Sequence, residues 1–385
     1  MLNVFLFLLF FVLVAFVFDS YCCHELGSIS NSKSKVLPLT FKSVVFISLI
    51  VLVPTLLVAF RSEYTGVDTF RYTQILEQHE KILVYRMHTS GEFLFWNLCI
   101  FFKEYGNIRS FFFLLAFIPL FFSFATFYKL SPLYNPFISS VVFLLIFYQE
   151  FFNATRQMPA IAIVFFSYTY VVSRKFIPFL ICILIAASFH ATALTALPLY
   201  FLYPQRPLTS WDFFKRTFLF ICFIIVISFF FKSILSFEMF SHFAGHGEKL
   251  FQVTIGQSIL NFFVNNFPII LVIGFFGLSV KFTDVNEKKK YHFLWMATLL
   301  FSFIILLRFV DNWFFRVAFY YQLGEILIIS KVCSKNYGAQ TNVFLTKYSF
   351  SIQDILLSVL LIISYIRFNI SYYDQSPFVN FSLVF

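Results

Sequence analysis

Charged residues are scarce in this chain. Only 12% of its 385 residues are Asp, Glu, Lys or Arg, whereas 60% are hydrophobic, and the mean hydropathy is +0.85. A soluble globule of this length needs far more polar surface to cover its core, so the composition excludes one. It predicts an all-α, polytopic integral membrane protein instead.

Signs of a disulfide scaffold, a zinc site or a cleaved leader are also lacking. The six cysteines show no zinc-type spacing, and Cys22 and Cys23 are adjacent, which disfavours a bridge between them. The first apolar run, residues 2–18, has no basic n-region and no convincing cleavage site, so we expect a retained helix. No fixed-period repeat is visible.

The apolar runs predict 11 or 12 transmembrane helices in a single membrane domain, residues 1–385. The predicted spans are at about 2–18, 43–60, 110–128, 137–149, 158–173, 176–190, 191–203, 213–232, 259–280, 292–309, 312–331 and 349–368. The piece at 191–203 is short for a crossing and is expected to be a short or broken span. A structured outer loop is expected at about 61–109, after the second helix, and a second outer loop at about 233–258.

Lysine and arginine are distributed unequally between the two sides of these spans. Most lysines fall in alternate loops, which we therefore assign to the cytoplasm: 19–42, 129–136, 174–175, 204–216, 281–291 and 331–347. The opposite side is rich in arginine: Arg61, Arg71, Arg86, Arg109, Arg156, Arg308, Arg316 and Arg367. The planar guanidinium binds phosphate through two parallel hydrogen bonds, so this side suits a pyrophosphate site, although arginines at helix ends also snorkel to the interface.

Polar groups stand at the ends of two apolar segments between Glu150 and His190. Glu150, Asn153 and Arg156 are three residues apart, so on a helix they share a face just before the span that opens at Pro159. His190 ends the following span and returns an imidazole to the same side. Charged groups at membrane depth usually line a cavity, but Arg156 can also snorkel, and His190 can also hydrogen-bond across helices.

Two further segments carry polar groups that suit glycan chemistry. After Arg61, Asp68 can accept a proton or a sugar hydrogen bond and Tyr72 can stack on a sugar, while the alternative is that Asp68 caps a helix starting near Thr69. Later, Arg308 lies one helical turn from Asp311, which also permits an internal ion pair.

Four polar motifs follow one another along the chain. They are Arg61 with Gly66-x-Asp68-Thr69-x-x-Tyr72, then Asn153-x-x-Arg156-Gln157-x-x-Ala160, then Ser188-Phe189-His190-x-Thr192-Ala193, and a late span from Arg316 to Tyr321. Together they cover nearly the whole chain and resemble the EpsG-like family of bacterial polysaccharide polymerases, which includes many Wzy-type O-antigen and capsule polymerases. Where that family usually has a second polar residue after the histidine, this chain has Ala191, so a His-His dyad is not expected.

The resemblance implies a GT-C-like membrane glycosyltransferase of the bacterial inner membrane whose active site faces the periplasm. A growing glycan would be transferred from undecaprenyl pyrophosphate to a new lipid-linked repeat unit. Its expected partners are that lipid-linked oligosaccharide, the lipid bilayer and a chain-length regulator protein, with no nucleic acid. No D-x-D motif is visible in the chain, and neither a metal nor a cofactor is expected.

This chemistry needs cations for the departing pyrophosphate and a base for the acceptor hydroxyl. The candidate catalytic residues are His190, Asp68 and Glu150. The candidate substrate-binding residues are Arg61, Tyr72, Asn153, Arg156, Gln157, Arg308, Arg316 and Tyr320. An O-antigen ligase is the nearest enzymatic alternative, and a polysaccharide flippase or transporter is the non-enzymatic one, although transporters usually carry repeat symmetry.

Overall fold

The computed structural model describes residues 2–28, 36–235 except 63, 64, 66 and 149, 285–309 and 313–335, scattered positions between 255 and 270, and two short strands. The predicted spans at about 259–280 and 349–368 therefore lie mostly or wholly outside the described residues. The same holds for nearly all of the second outer loop, and for Asp311.

The chain is an all-α polytopic membrane protein, as its composition predicts. Its described α-helices are α1 (Leu2–Ser28), α2 (Phe41–Ala59), α3 (Val67–Glu77), α4 (Glu80–Ser90), α5 (Phe93–Tyr105), α6 (Ile108–Leu130), α7 (Pro136–Phe147), α8 (Glu150–Asn153), α9 (Gln157–Val172), α10 (Phe176–Phe189), α11 (Leu199–Leu202), α12 (Ser210–Leu235), α13 (Val285–Leu306) and α14 (Trp313–Lys335). A small antiparallel hairpin pairs β1 (Val343–Leu345) with β2 (Tyr348–Phe350).

Four of the described helices are long and apolar enough to cross a membrane. The four segments are Leu9–Gly27, Phe41–Ala59, Ile108–Leu130 and Glu287–Leu306. Shorter apolar helices accompany them, among them α9 and α10. A crossing needs about 20 apolar residues, so these shorter helices span only with the help of their flanking turns.

Some predicted boundaries were wrong. Helix α1 continues to Ser28, about ten residues past the predicted end of the first span, and α13 begins at Val285, inside the predicted loop 281–291. The segment after His190 is broken as expected, because a 3₁₀ turn at Ala191–Ala196 is followed by the single turn of α11. The region 61–109 forms three helices, α3, α4 and α5, as expected of a structured loop.

Helix α9 lies at the centre of the fold. Every residue from Gln157 to Thr169 is buried, and the helix packs against α6, α10 and α14. An α-helix that is apolar on all sides is stable only when protein or lipid surrounds it completely. Because Arg156 directly precedes this helix, the fold brings its guanidinium to the end of an element that is buried along most of its length.

Helices α13 and α14 form the other main pair. Gly324 lies at their contact, where a Cβ atom would be 3.4 Å from both the Ala297 side chain and the Leu294 carbonyl oxygen. Small residues let two membrane helices approach closely, which strengthens their van der Waals packing. The pairing fixes α14, and with it Arg316, against the rest of the bundle.

Candidate active site

Glu92 stands at the start of α5, where the chain turns sharply. Gly91 ends α4 with a φ of +69°, a left-handed conformation that glycine adopts without steric cost. The Ser90 hydroxyl accepts hydrogen bonds from the Glu92 backbone N–H at 3.3 Å and from the Trp96 indole at 2.8 Å. These contacts fix the turn and aim the Glu92 side chain into the protein.

The Glu92 carboxylate joins Arg156 and His190. Arg156 Nη1 donates to one oxygen at 2.7 Å, while the other oxygen lies 2.7 Å from His190 Nδ1 and accepts from the Ala191 N–H at 3.2 Å. Glu92 is only 2% exposed, and His190 is also buried. A buried ion pair that loses one partner typically costs about 3–5 kcal/mol, so these three side chains depend on one another.

The surroundings of Glu92 keep its carboxylate ionised. Burial alone raises the pKa of Glu92, but the charge of Arg156, the hydrogen bond from His190 and the Ala191 N–H outweigh it and bring that pKa to about 2. The usual value is 4.5, so the interaction contributes stability above about pH 4.5 and loses it as the pH falls toward 2.

His190 is oriented by this carboxylate. It follows α10 as the C-cap residue, and its backbone N–H donates to the Ala186 carbonyl at 2.9 Å, which holds the residue at the helix terminus. When Nδ1 carries the proton and donates it to Glu92, the lone pair lies on Nε2. A carboxylate behind an imidazole fixes the ring and stabilises the imidazolium, so the pair has the arrangement of a general base.

Arg156 is the part of this trio that reaches solvent. Its side chain is 27% exposed, and its guanidinium lies 5.4 Å above the ring centre of Phe95. One guanidinium nitrogen is bound to Glu92, which leaves other N–H groups for an oxyanion. The structure thus brings together Arg156 and His190, as expected, through a carboxylate that the motifs did not include.

Asp68 and Arg316 lie beside this trio. Burial raises the pKa of Asp68, while its electrostatic interactions with Arg71, Arg156 and Arg316 lower it. Asp68 lies in the first turn of α3, which begins at Val67, so the alternative in which Asp68 precedes and caps a helix starting near Thr69 does not apply. The guanidinium of Arg316 is half-buried and has no hydrogen-bond partner within the described part of the chain.

Arg61 is enclosed by protein. It is 5% exposed, donates to the Phe151 carbonyl at 3.2 Å and to the Thr155 hydroxyl at 3.4 Å, and lies 3.9 Å above the ring of Phe112. Its Nε has no hydrogen-bond partner among the described residues. These contacts join the chain just after α2 to α6, to α8 and to Thr155, so the protein itself already binds the Arg61 guanidinium.

Three of the candidate binding residues bond to or pack against the protein itself. Gln157 Nε2 donates to the Arg316 carbonyl at 2.6 Å, and the Tyr320 hydroxyl lies 2.9 Å from that of Thr192. Tyr72 is 6% exposed, and Phe95 lies 5.8 Å from its ring centre. The first two contacts tie α14 to α9 and to the turn after His190, which holds Arg316 near Arg156.

Arg308, Glu150 and Asn153 complete the set of candidates. Arg308 lies 4.4 Å above the ring of Phe315. Glu150 is buried at the start of α8, and Asn153 ends that helix, but the Asn153 side chain is outside the described part. Among the described residues, no three or more His, Cys, Asp or Glu side chains gather as metal ligands.

The motifs did not include Glu92. Its partners Arg156 and His190 are 64 and 98 residues further along the chain, so no local spacing connects them. The one available signal is a single carboxylate placed between Ser90-Gly91 and the apolar helix FLFWNLCIFF. A lone charge that opens a buried helix usually has a partner, which could have pointed to this residue.

The sequence model of the EpsG family matches residues 44–382 of the chain. This range includes Glu92, Arg156, His190 and Arg316. No curated protein and no solved structure matches the chain, so a GT-C-like architecture remains a prediction.

Proposed function

The chain belongs to the EpsG family, which is associated with polysaccharide polymerases, and from this premise we propose that it polymerises lipid-linked oligosaccharide repeat units. The observation that carries the proposal is the buried Glu92 carboxylate, which joins the imidazole of His190 to the partly exposed guanidinium of Arg156. On one side of that carboxylate, His190 can act as a base for a hydroxyl. On the other side, Arg156 supplies a cation that can bind a phosphate.

The proposed reaction transfers a glycan between two lipid-linked substrates. A hydroxyl oxygen of the acceptor unit attacks the anomeric carbon of the donor glycan and forms a new glycosidic bond. The bond from that carbon to the undecaprenyl pyrophosphate oxygen breaks, and the pyrophosphate leaves with the bonding electrons. The acceptor proton passes to Nε2 of His190, and the imidazolium later releases it to water.

The arginines suit the departing charge. Arg156 keeps N–H groups beyond its bond to Glu92, and the guanidinium of Arg316 has no hydrogen-bond partner within the described part of the chain. Two guanidiniums that face a pyrophosphate supply charge-assisted, bidentate hydrogen bonds, which strengthen as negative charge develops on the leaving oxygen. Asp68 is the alternative base, because its carboxylate lies within the same group of arginines.

Deletion of the gene should leave surface glycan that carries a single repeat unit. A polymerase is not needed to make, flip or ligate that unit, so only the ladder of longer chains should vanish. Electrophoresis of extracted glycan, with and without a plasmid copy of the gene, measures this. Loss of the single unit from its lipid anchor would instead indicate a ligase or a flippase.

We further propose that the site lies at the periplasmic face of the inner membrane. Lysines such as Lys288, Lys289 and Lys290 lie on the side of the membrane opposite the site, and lysine-rich segments favour the cytoplasm. Alkaline phosphatase fused after Glu80 should then be active, and a fusion after Lys289 should be inactive. The reverse pattern would contradict this orientation.

A further inference from the structure

The chain that follows His190 forms a short 3₁₀ turn, Ala191–Ala196, called the His190 turn below. Its first N–H, that of Ala191, donates to Glu92 at 3.2 Å, and the His190 carbonyl accepts from the Ala193 N–H at 2.9 Å. A 3₁₀ helix has poorer hydrogen-bond geometry than an α-helix and is used only in short pieces. The position of His190 therefore depends on the contacts that other elements make with this turn.

Helix α14 makes two side-chain hydrogen bonds with the His190 turn. The Tyr320 hydroxyl lies 2.9 Å from that of Thr192, and the Tyr321 hydroxyl donates to the Thr195 carbonyl at 2.6 Å. Tyr320, Tyr321 and Thr192 are all buried. A buried hydroxyl that loses its partner is costly, so these bonds hold the turn against α14.

Tyr320 also stands close to the other half of the site. It lies one helical turn after Arg316, on the same face of α14. Gln157, the first residue of α9, donates to the Arg316 carbonyl at 2.6 Å and also interacts with the Tyr320 hydroxyl. The Tyr320 hydroxyl thus contacts both the residue that follows Arg156 and the turn that follows His190.

The Tyr320 side chain is fully buried, and its hydroxyl is already bound to the protein. We propose that Tyr320 is a positioning residue, which holds the His190 turn, and with it Nε2 of His190, at a fixed place relative to Arg316. This role replaces the substrate-binding role expected from the sequence. It rests on the proposed function, in which His190 takes the acceptor proton and Arg316 binds the departing pyrophosphate.

The test compares Tyr320→Phe with the unaltered protein, both full-length and in lipid nanodiscs. The substrate is lipid-linked repeat unit extracted from the deletion strain. Phenylalanine keeps the ring in the core and removes only the hydroxyl. We expect kcat to fall at least about tenfold while KM stays within about twofold, because a catalytic group displaced by about 1 Å can lower the rate about 10²-fold. A rise in KM at unchanged kcat would overturn the positioning role and assign Tyr320 to substrate binding.

The partner hydroxyl of Thr192 allows a rescue experiment. Thr192→Val removes that hydroxyl and should lower kcat as Tyr320→Phe does, whereas Thr192→Ser keeps a hydroxyl and should retain most of the wild-type kcat. The double variant Tyr320→Phe/Thr192→Val should be little worse than either single variant, because the same bond is lost only once. Fully additive losses of kcat would overturn the role of this bond.

Tyr168→Phe is the matched control. The buried Tyr168 hydroxyl donates to the Tyr320 backbone carbonyl at 3.1 Å and makes no described bond to the His190 turn. Its removal should lower the thermal stability about as much as Tyr320→Phe does, but should leave kcat unchanged. An equal loss of kcat in both variants would show that the Tyr320 hydroxyl only stabilises the fold, and would overturn the proposal.

Hydrogen exchange, measured by mass spectrometry, separates this proposal from the proposed function. The amides of residues 190–197 should exchange at least about tenfold faster in Tyr320→Phe than in Tyr168→Phe, because the turn opens more readily without its bond to α14. If Tyr320→Phe does not fold, Thr192→Val takes its place. Unchanged exchange would overturn the positioning role. Failure of the unaltered protein to polymerise would instead contradict the proposed function, and the exchange measurement would still test whether Tyr320 holds the turn.

Discussion

Replacing Glu92 with glutamine is expected to abolish polymer and to destabilise the protein. Glutamine keeps the shape of the side chain but removes the charge that Arg156 and His190 share at 2.7 Å each. His190 then loses the carboxylate that orients it, and Arg156 loses its fixed position. Because Arg156 keeps some contact with solvent, we expect a cost near the lower end of about 3–5 kcal/mol.

Glycan chain length and thermal unfolding of the purified protein measure the two effects of Glu92→Gln. Glu104→Gln is the matched control, because Glu104 lies on the same helix α5 but is exposed. The difference in stability between wild type and Glu92→Gln should shrink as the pH falls from about 4.5 toward 2, where Glu92 becomes protonated. Normal glycan ladders from the Glu92→Gln variant would show that polymerisation does not need the Glu92 carboxylate.

Arg156→Lys separates the two roles of the arginine. Lysine can still pair with Glu92, so the protein should insert and remain abundant in the membrane. It lacks the planar fork, so polymer should fall sharply if Arg156 also binds pyrophosphate. Wild-type glycan ladders from this variant would show that Arg156 only pairs with Glu92 and does not bind pyrophosphate through its planar fork.

Replacing His190 is expected to have an equally large effect on catalysis. Without the imidazole, no Nε2 remains to accept the proton of the acceptor hydroxyl. Loss of a general base typically lowers the rate by about 10²- to 10⁴-fold. Both His190→Ala and His190→Gln should therefore lack polymer. Glutamine can still donate a hydrogen bond to Glu92, so its thermal stability should exceed that of the alanine variant.

Chain length, normalised to the amount of protein in the membrane, measures the effect of both His190 variants. His88→Gln, an exposed histidine on α4, serves as the control and should give wild-type ladders. If His190→Gln also gave wild-type ladders, His190 would serve only as a hydrogen-bond partner for a neighbouring segment and would not be the base. The base would then be Asp68, which lies among the arginines, or Glu150.

The sequence by itself determined the class of the protein and part of its site. Scarcity of charge and long apolar runs permit only a helical membrane protein, because backbone groups in lipid must bond within their own segment. Arg156 and His190 stand at the ends of apolar segments, and this position alone identified them as candidate site residues without any knowledge of the fold. Helix ends such as those of α1 and α13 were less predictable, because apolar and polar residues share the last turns and tertiary contacts decide where a helix stops.

Only the tertiary structure decided which polar residues act together. Glu92 lies in a different part of the chain from Arg156 and His190, and its role follows from the packing of α5 against α10, which no local spacing encodes. The same packing distinguished buried Arg61, which contacts Phe112 and backbone oxygen, from half-buried Arg316, although both looked alike as arginines near span ends. The physical reason is that burying a charge is costly unless a partner is present, and such a partner is fixed by distance in space and not along the chain.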